Sequence, residues 1–170
     1  MKILGIDPGF DRMGYSFLEM KNSTYSLVSS GLITTDRKSL HQERLLQVYK
    51  DLSELISKFK PIAIATETLI FSKNIKTASK ISEVRGIIQL LTAMNNLKYV
   101  EFSPLQVKSA ITGYGRASKK QIEKSIKLIL KLSDIDYIDD VIDAIAISIC
   151  GLNKLQYVQK LEVKLYAKTE

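Results

Sequence analysis

Lys2-Ile3-Leu4-Gly5-Ile6-Asp7-Pro8-Gly9 decides the fold. Ile3, Leu4 and Ile6 are the apolar residues of a short buried strand. Pro8-Gly9 stops it, because proline offers no ladder donor and glycine suits a tight turn. Asp7 therefore stands at the strand's carboxyl end, the edge at which ligands bind in open α/β sheets. An acid on an apolar strand is disfavoured by desolvation unless it meets a cation or a hydrogen-bond donor. Pro61-Ile62-Ala63-Ile64-Ala65-Thr66-Glu67 repeats the design, a buried strand finishing on an acid. Between the two, Leu45, Val48, Tyr49, Leu52, Leu55, Ile56 and Phe59 recur at helical spacing, from a Ser39/Gln42 capping box to Lys60-Pro61. Strand, helix and strand form a right-handed crossover, so the second strand runs parallel to a neighbour. If that neighbour is the 2–7 strand, Asp7 and Glu67 share one sheet edge on strands about 4.8 Å apart. Two bare carboxylates that close repel, and a divalent cation resolves the conflict.

The remaining elements fall on either side of this frame. Residues 13–19 and 24–34 are strands joined by short connections, as in an antiparallel meander. A helix is predicted over 75–96 with Ile75, Ala78, Ile81, Val84, Ile87, Ile88, Leu91 and Met94 on its apolar face, a candidate dimer contact. Lys98–Phe102 is a fifth strand. Ser103-Pro104-Leu105-Gln106 opens a helix with a cap, a first-position proline and a capping box, and Gly113-Tyr114-Gly115 ends it. Ser118-Lys119-Lys120-Gln121 opens another, through about Leu132. A nearly all-apolar helix runs from near Asp139 to about Asn153. The chain is expected to form one domain over 1–155, with 156–170 a tail that is a short helix or a mobile end.

Composition narrows the chemistry. The 170 residues suffice for one full core, and 45% hydrophobic content indicates a globular chain. No apolar run reaches the ~18 residues of a membrane span, and the run after Lys2 is too short for a signal peptide. The single cysteine, Cys150, excludes an internal disulfide and a cysteine zinc site, and a cytoplasmic setting is the default. A net charge of +7 favours a polyanionic partner.

Asp7, Glu67, Asp140 and Asp143 are acids at the ends of otherwise apolar elements. Each has a bland explanation alone; Asp139 or Asp140 is a helix cap and Asp143 a first-turn acid on that view. Together they have the make-up of a hard-metal site with oxygen ligands only. His41 is the lone histidine and belongs to a helix surface, which argues against serine or cysteine triads. Lys119 and Lys120 sit in a helix first turn behind Arg116, where anions are favoured. Either this is a solvated basic surface, or phosphate occupies the helix start. Carboxylates on a basic chain suggest magnesium-assisted phosphate chemistry, with two metals about 4 Å apart.

These residues resemble the RuvC family of Holliday-junction resolvases over nearly the whole chain. The matching blocks are Gly5-Ile6-Asp7-Pro8-Gly9 with Gly14-Tyr15, then Glu67 with Lys73-Asn74 and Arg85-Gly86. Pro104, Gln106-Val107-Lys108 and Gly113-Tyr114-Gly115 follow, then Asp140-Val141-Ile142-Asp143-Ala144-Ile145-Ala146. The resemblance implies a ribonuclease-H-like α/β fold, a five-stranded mixed sheet of order 3-2-1-4-5 with helices on both faces. It implies a homodimer that resolves four-way junction DNA by paired symmetric nicks in recombination and repair. Asp7, Glu67, Asp140 and Asp143 would be the catalytic metal ligands, for Mg2+ with Mn2+ able to substitute, and Lys108 and Lys119 the active-site lysines. Lys73, Asn74, Lys76, Arg85, Arg116, Ser118 and Lys120 are further candidate DNA contacts. A RuvA–RuvB branch-migration complex would be the partner.

The chain departs from the family at one contact. An aromatic residue three after the catalytic glutamate touches bases in the best-known members, and here that position is Ile70, with Phe71 next. Asp139 beside Asp140 leaves the third ligand ambiguous from composition; the motif selects Asp140 and makes Asp139 a cap. The rival readings are an RNA-processing nuclease of the same fold, a non-catalytic junction binder, and a sugar-kinase-type lobe. The last needs a second lobe for which 170 residues leave no room.

Overall fold

β1 (Lys2–Asp7) is the middle strand of a five-stranded sheet of order β3-β2-β1-β4-β5. The computed structural model describes residues 1–68, 75–132 and 138–166, with 75–77 and 163–166 described by their backbone only. β2 (Arg12–Lys21) and β3 (Thr24–Thr34) pair antiparallel as a meander. Their tight turn holds Asn22 and Ser23 at φ 47° and 60°, as a two-residue hairpin of right-handed twist requires. β4 (Ala63–Glu67) and β5 (Lys98–Phe102) run parallel to β1 after the helical crossovers α1 (His41–Phe59) and α2 (Ile75–Met94). α3 (Pro104–Thr112), α4 (Lys119–Leu130) and α5 (Asp139–Tyr166) follow.

The helices divide between the sheet faces because side chains alternate along each strand. Leu4, Ile6, Phe17 and Ile64 pack with Val48, Leu52 and Ile56 of α1 and Val84, Ile88 and Leu91 of α2. Ile3, Leu18, Ala63 and Ala65 face the other way, into α5 and the buried Val107, Ile111, Ile122 and Ile126 of α3 and α4. β1 is covered on both faces, which explains its apolar run.

Four details differ from the sequence expectation. α1 starts one residue later than the Ser39 box: its N-cap is Leu40, whose backbone N–H donates to Glu43 Oε2 at 3.0 Å. Glu43 supplies the reciprocal half of a capping box, so no serine is needed there. α5 runs on to Tyr166 rather than stopping near Asn153. Its stretch Asp139–Glu162 is long and apolar enough to span a membrane, yet most of it is buried in this fold. The apolar face of α2 is spent within the protomer, on α1; Met94, its expected last member, is exposed. The Ser103 and Ser118 boxes form as the sequence predicts, closed by Gln106 and Gln121.

Candidate active site

Asp7 and Glu67 end adjacent parallel strands, one residue beyond the Ile6–Thr66 register pair. Both line a cleft of about 250 Å³ together with Thr68, Ile81, Arg85 and Pro104. α5 brings the other two acids to the same edge. Gly14 is the antiparallel partner of Asp7, and a Cβ there would lie 1.9 Å from the Asp140 carbonyl oxygen. Further along, a Cβ on Gly5 would lie 2.2 Å from Ser148 Oγ. Ser16 Oγ donates to the Ala144 carbonyl at 3.1 Å, and Ser148 Oγ donates to the Ser16 carbonyl at 3.1 Å. Two missing side chains and two buried hydroxyls thus let α5 lie directly on β1 and β2. Its first turn ends beside Asp7.

The electrostatics register this crowding. Burial, and then the charges of Asp143, Glu67 and Asp140, push the Asp7 carboxyl up to about 7, against the pull of Lys119. Glu67 is raised by burial and by Asp143, with Lys108 opposing. Asp143 is raised by burial, and by Asp139 and Asp140, with Lys119 and Lys108 opposing. Lys108 on α3 and Lys119 on α4 therefore flank the acids.

Asp140 has a different partner. Its Oδ2 is buried and lies 2.8 Å from Arg12 Nη2, yet no donor meets it with hydrogen-bond geometry. Among the described residues, no three acidic, histidine or cysteine side chains stand together as a ready-made ligand set. The donor chemistry still fits a hard divalent cation. All the donors are carboxylate oxygens, one buried oxygen is unbonded, and three carboxyls are raised, by burial first and by neighbouring acids after it. Each of these features is relieved by a bound cation, while Arg12 holds Asp140 in its absence.

Several residues singled out in the sequence have other tasks. Arg85 was a candidate DNA contact, but its side chain is 13% exposed and faces inward. It donates to the Glu67 carbonyl and to the Glu101 carboxylate, which also accepts from Tyr99 Oη at 2.9 Å. Burial on α2 and an acid on β5 explain the change: the guanidinium finds the half-buried Glu101 and braces the end of β4. Asp139 is not a cap. Its carboxylate accepts from Lys119 Nζ at 2.9 Å, so the basic helix start of α4 is paired with the first residue of α5. That bond raises the Lys119 ammonium and lowers the Asp139 carboxyl. Ser118 uses its hydroxyl to accept from Gln121 N at 3.4 Å, while Arg116 and Lys120 are exposed on the same rim. Ile70, Phe71, Lys73 and Asn74 lie outside the described residues, and Lys76 is placed by the α2 backbone alone.

Sequence reasoning passed over Phe10, Arg12 and Arg44. Arg44 heads the row Arg44, Val48, Leu52, Ile56, all buried, so it occupies a core position and its charge needs a partner. It finds Asp11 and Thr35, and its guanidinium lies 4.0 Å from the Phe10 ring centroid. An arginine on an apolar helix row was the available signal.

The family model of the crossover junction endodeoxyribonuclease RuvC matches residues 3–151. The RuvC of Caldicellulosiruptor saccharolyticus is 48% identical over 153 residues, covering 89% of this chain and 92% of its own. The RuvC of Brachyspira hyodysenteriae is 48% identical over 154 residues, 91% of this chain and 95% of its own. Among solved structures, T. thermophilus RuvC in complex with a Holliday junction substrate superposes with a TM-score of 0.84. It is 25% identical and covers 88% of this chain and 92% of that one. The yeast mitochondrial resolvase Ydc2 shares the fold at a TM-score of 0.67 and 16% identity, covering 87% of this chain and 76% of its own. Sheet order, acid-terminated strands and family match agree: the chain is a member of the RuvC family of crossover junction endodeoxyribonucleases.

Proposed function

We propose that this chain resolves four-way DNA junctions by paired, symmetric phosphodiester cuts that depend on a divalent metal. The observation that carries the proposal is the gathering of Asp7, Glu67 and Asp143 at one sheet edge, flanked by two lysines and raised first by burial and then by neighbouring acids. Asp7, Glu67, Asp140 and Asp143 would hold Mg2+, two ions per site, with Mn2+ able to substitute. The bound metal supplies Lewis-acid activation of the phosphodiester and of a water nucleophile. The chain's own residues do the rest. Lys108 and Lys119 offset the charge of the phosphate that enters the cleft. Arg85 fixes the carboxyl end of β4 through the Glu67 carbonyl and so sets where Glu67 points.

A two-fold junction is matched by a two-fold enzyme, so the working unit is a homodimer with one site per crossing strand. A cytoplasmic recombination and repair setting, with a RuvA–RuvB branch-migration complex as partner, is part of the same proposal. The test is incubation of a synthetic four-way junction with magnesium, comparing wild type with Asp7→Asn. Wild type is expected to give paired nicks near the crossover and Asp7→Asn none, with junction binding largely kept, since phosphate contacts dominate affinity. Binding without cleavage by wild type would sink the nuclease reading.

A further inference from the structure

Beside the acid cluster lies a second concavity of about 470 Å³, lined by Gly9, Phe10, Asp11, Arg12, Arg37, Lys80, Ile81 and Asp140. Its floor is built. The Phe10 ring is 6% exposed, stacked on His41 at 4.8 Å and covered by the Arg44 guanidinium at 4.0 Å. Arg44 is itself held by Asp11 and by Thr35 Oγ1 at 2.9 Å, and Thr35 Oγ1 donates to the Phe10 carbonyl at 2.7 Å. Lys80 Nζ lies 5.3 Å from the same ring centroid. The neighbouring backbone is closely packed: a Cβ on Gly9 would lie 1.8 Å from the Arg12 carbonyl oxygen.

The walls carry an excess of positive charge. Arg12, Arg37 and Lys80 face Asp11 and Asp140, and Asp11 is already shared between Arg37 at 2.8 Å and the buried Arg44. Arg37 and Arg12 are 79% and 56% exposed, so their guanidinium groups reach solvent. Arg12 touches Asp140 without hydrogen-bond geometry, an electrostatic contact that a better-placed cation can replace. Three mobile cations over a rigid aromatic floor recognise a phosphodiester more readily than any neutral or cationic ligand.

The geometry points to this pocket as a seat for a DNA backbone phosphate next to the one that is cut, with Arg12 shared between that phosphate and Asp140. When a cation takes the Asp140 carboxylate, Arg12 is released to the DNA; without one, Arg12 stays on Asp140. The inference deepens the nuclease reading and rests on it for the identity of Asp140 as a ligand. Neither role of Arg12 requires a change in the fold.

The test measures binding apart from cleavage. Junction affinity is read by fluorescence anisotropy across a salt series in Ca2+ and in EDTA. Arg37→Ala/Lys80→Ala is expected to weaken binding about tenfold and to reduce the slope of log K against log salt by about 1, as loss of one phosphate contact requires. Lys21→Ala/Lys98→Ala removes the same charge at the opposite sheet edge and is expected to leave the slope in place. Arg12→Ala is expected to weaken junction binding in Ca2+ and to change it little in EDTA. On DNA-free protein, calorimetric titration should show Arg12→Ala binding Mn2+ roughly threefold tighter, since a competing ion pair is gone. Equal slope changes in the two double variants would overturn the phosphate seat, leaving only net charge. Unchanged or weaker Mn2+ binding by Arg12→Ala would overturn the sharing. Circular dichroism verifies that each variant is folded. A wild type that binds but does not cut defeats the nuclease reading while leaving these binding results intact.

Discussion

Arg85 donates to the backbone carbonyl of Glu67, the residue that closes β4, and pairs through its other nitrogen with Glu101. A side chain that sequence reasoning sends to DNA is thus a brace for Glu67, one of the proposed metal ligands. Arg85→Ala is expected to destabilise the chain by about 3 kcal/mol, because Glu101 is left without its cation. It should lower the cleavage rate far more than junction affinity. Arg85→Ala/Glu101→Gln should recover part of the stability, since the stranded charge is gone. Chemical denaturation of the three variants decides, and additive losses would show that the pair is not coupled.

Asp7 makes the metal-free protein pH-sensitive. Its carboxyl is raised from 3.8 to about 7 in the folded chain, so the folded state binds the proton more tightly than the unfolded state does. Stability from this group is therefore complete below about 4 and is lost as pH rises towards 7, by up to about 4 kcal/mol. In EDTA, Asp7→Asn is expected to melt higher than wild type at pH 8 and to lose that advantage by pH 4. Melting curves at both pH values check this, and adding Mg2+ at pH 8 should raise wild type alone.

The adjacent acids Asp139 and Asp140 separate by consequence. Asp139 and Lys119 are 70% and 69% exposed, so solvent screens their pair and it adds little to stability. Asp139→Asn is expected to keep cleavage within about threefold, as for a screened surface pair. Asp140→Asn should abolish it. Lys119→Ala should lower the rate well beyond Asp139→Asn, because Lys119 also faces Asp7 and Asp143. Single-turnover rates on one junction substrate give the ranking.

Two glycines predict opposite signs. Gly14→Ala drives a Cβ to 1.9 Å from the Asp140 carbonyl oxygen and must push the first turn of α5 off the sheet. Loss of cleavage together with a lower melting temperature is expected. Gly86, inside α2, has no atom within 4 Å of a Cβ placed on it. Gly86→Ala is expected to stabilise the chain by about 0.5–1 kcal/mol through helix propensity alone.

The strands that end in Asp7 and Glu67 were legible because an apolar run closed by an acid and a turn has few other meanings. Their adjacency followed from the crossover rule. The Ser103 and Ser118 boxes were legible because both halves of each lie within three residues. The pairings Arg12–Asp140, Arg44–Asp11 and Arg85–Glu101 were not, since each joins residues far apart in the chain and charge alone does not name a partner. The extension of α5 was hidden for another reason. Beyond Leu155 it exposes Tyr157, Val158 and Leu161, so no regular apolar stripe announces it, and helix-favouring lysine, leucine and glutamine carry the helix onward.

The acids come from the first strand, the fourth and the last helix, so the site's assembly is tied to the order of synthesis. A ribosome-bound chain that has released all five strands still lacks α5. Until α5 emerges, Ile3, Leu18, Ala63 and Ala65 have only α3 and α4 on their side of the sheet, and Asp7 has neither Asp140 nor Asp143 beside it. The same close approach at Gly5 and Gly14 that seats α5 therefore makes the gathering of the four acids wait for the helix made after all five strands.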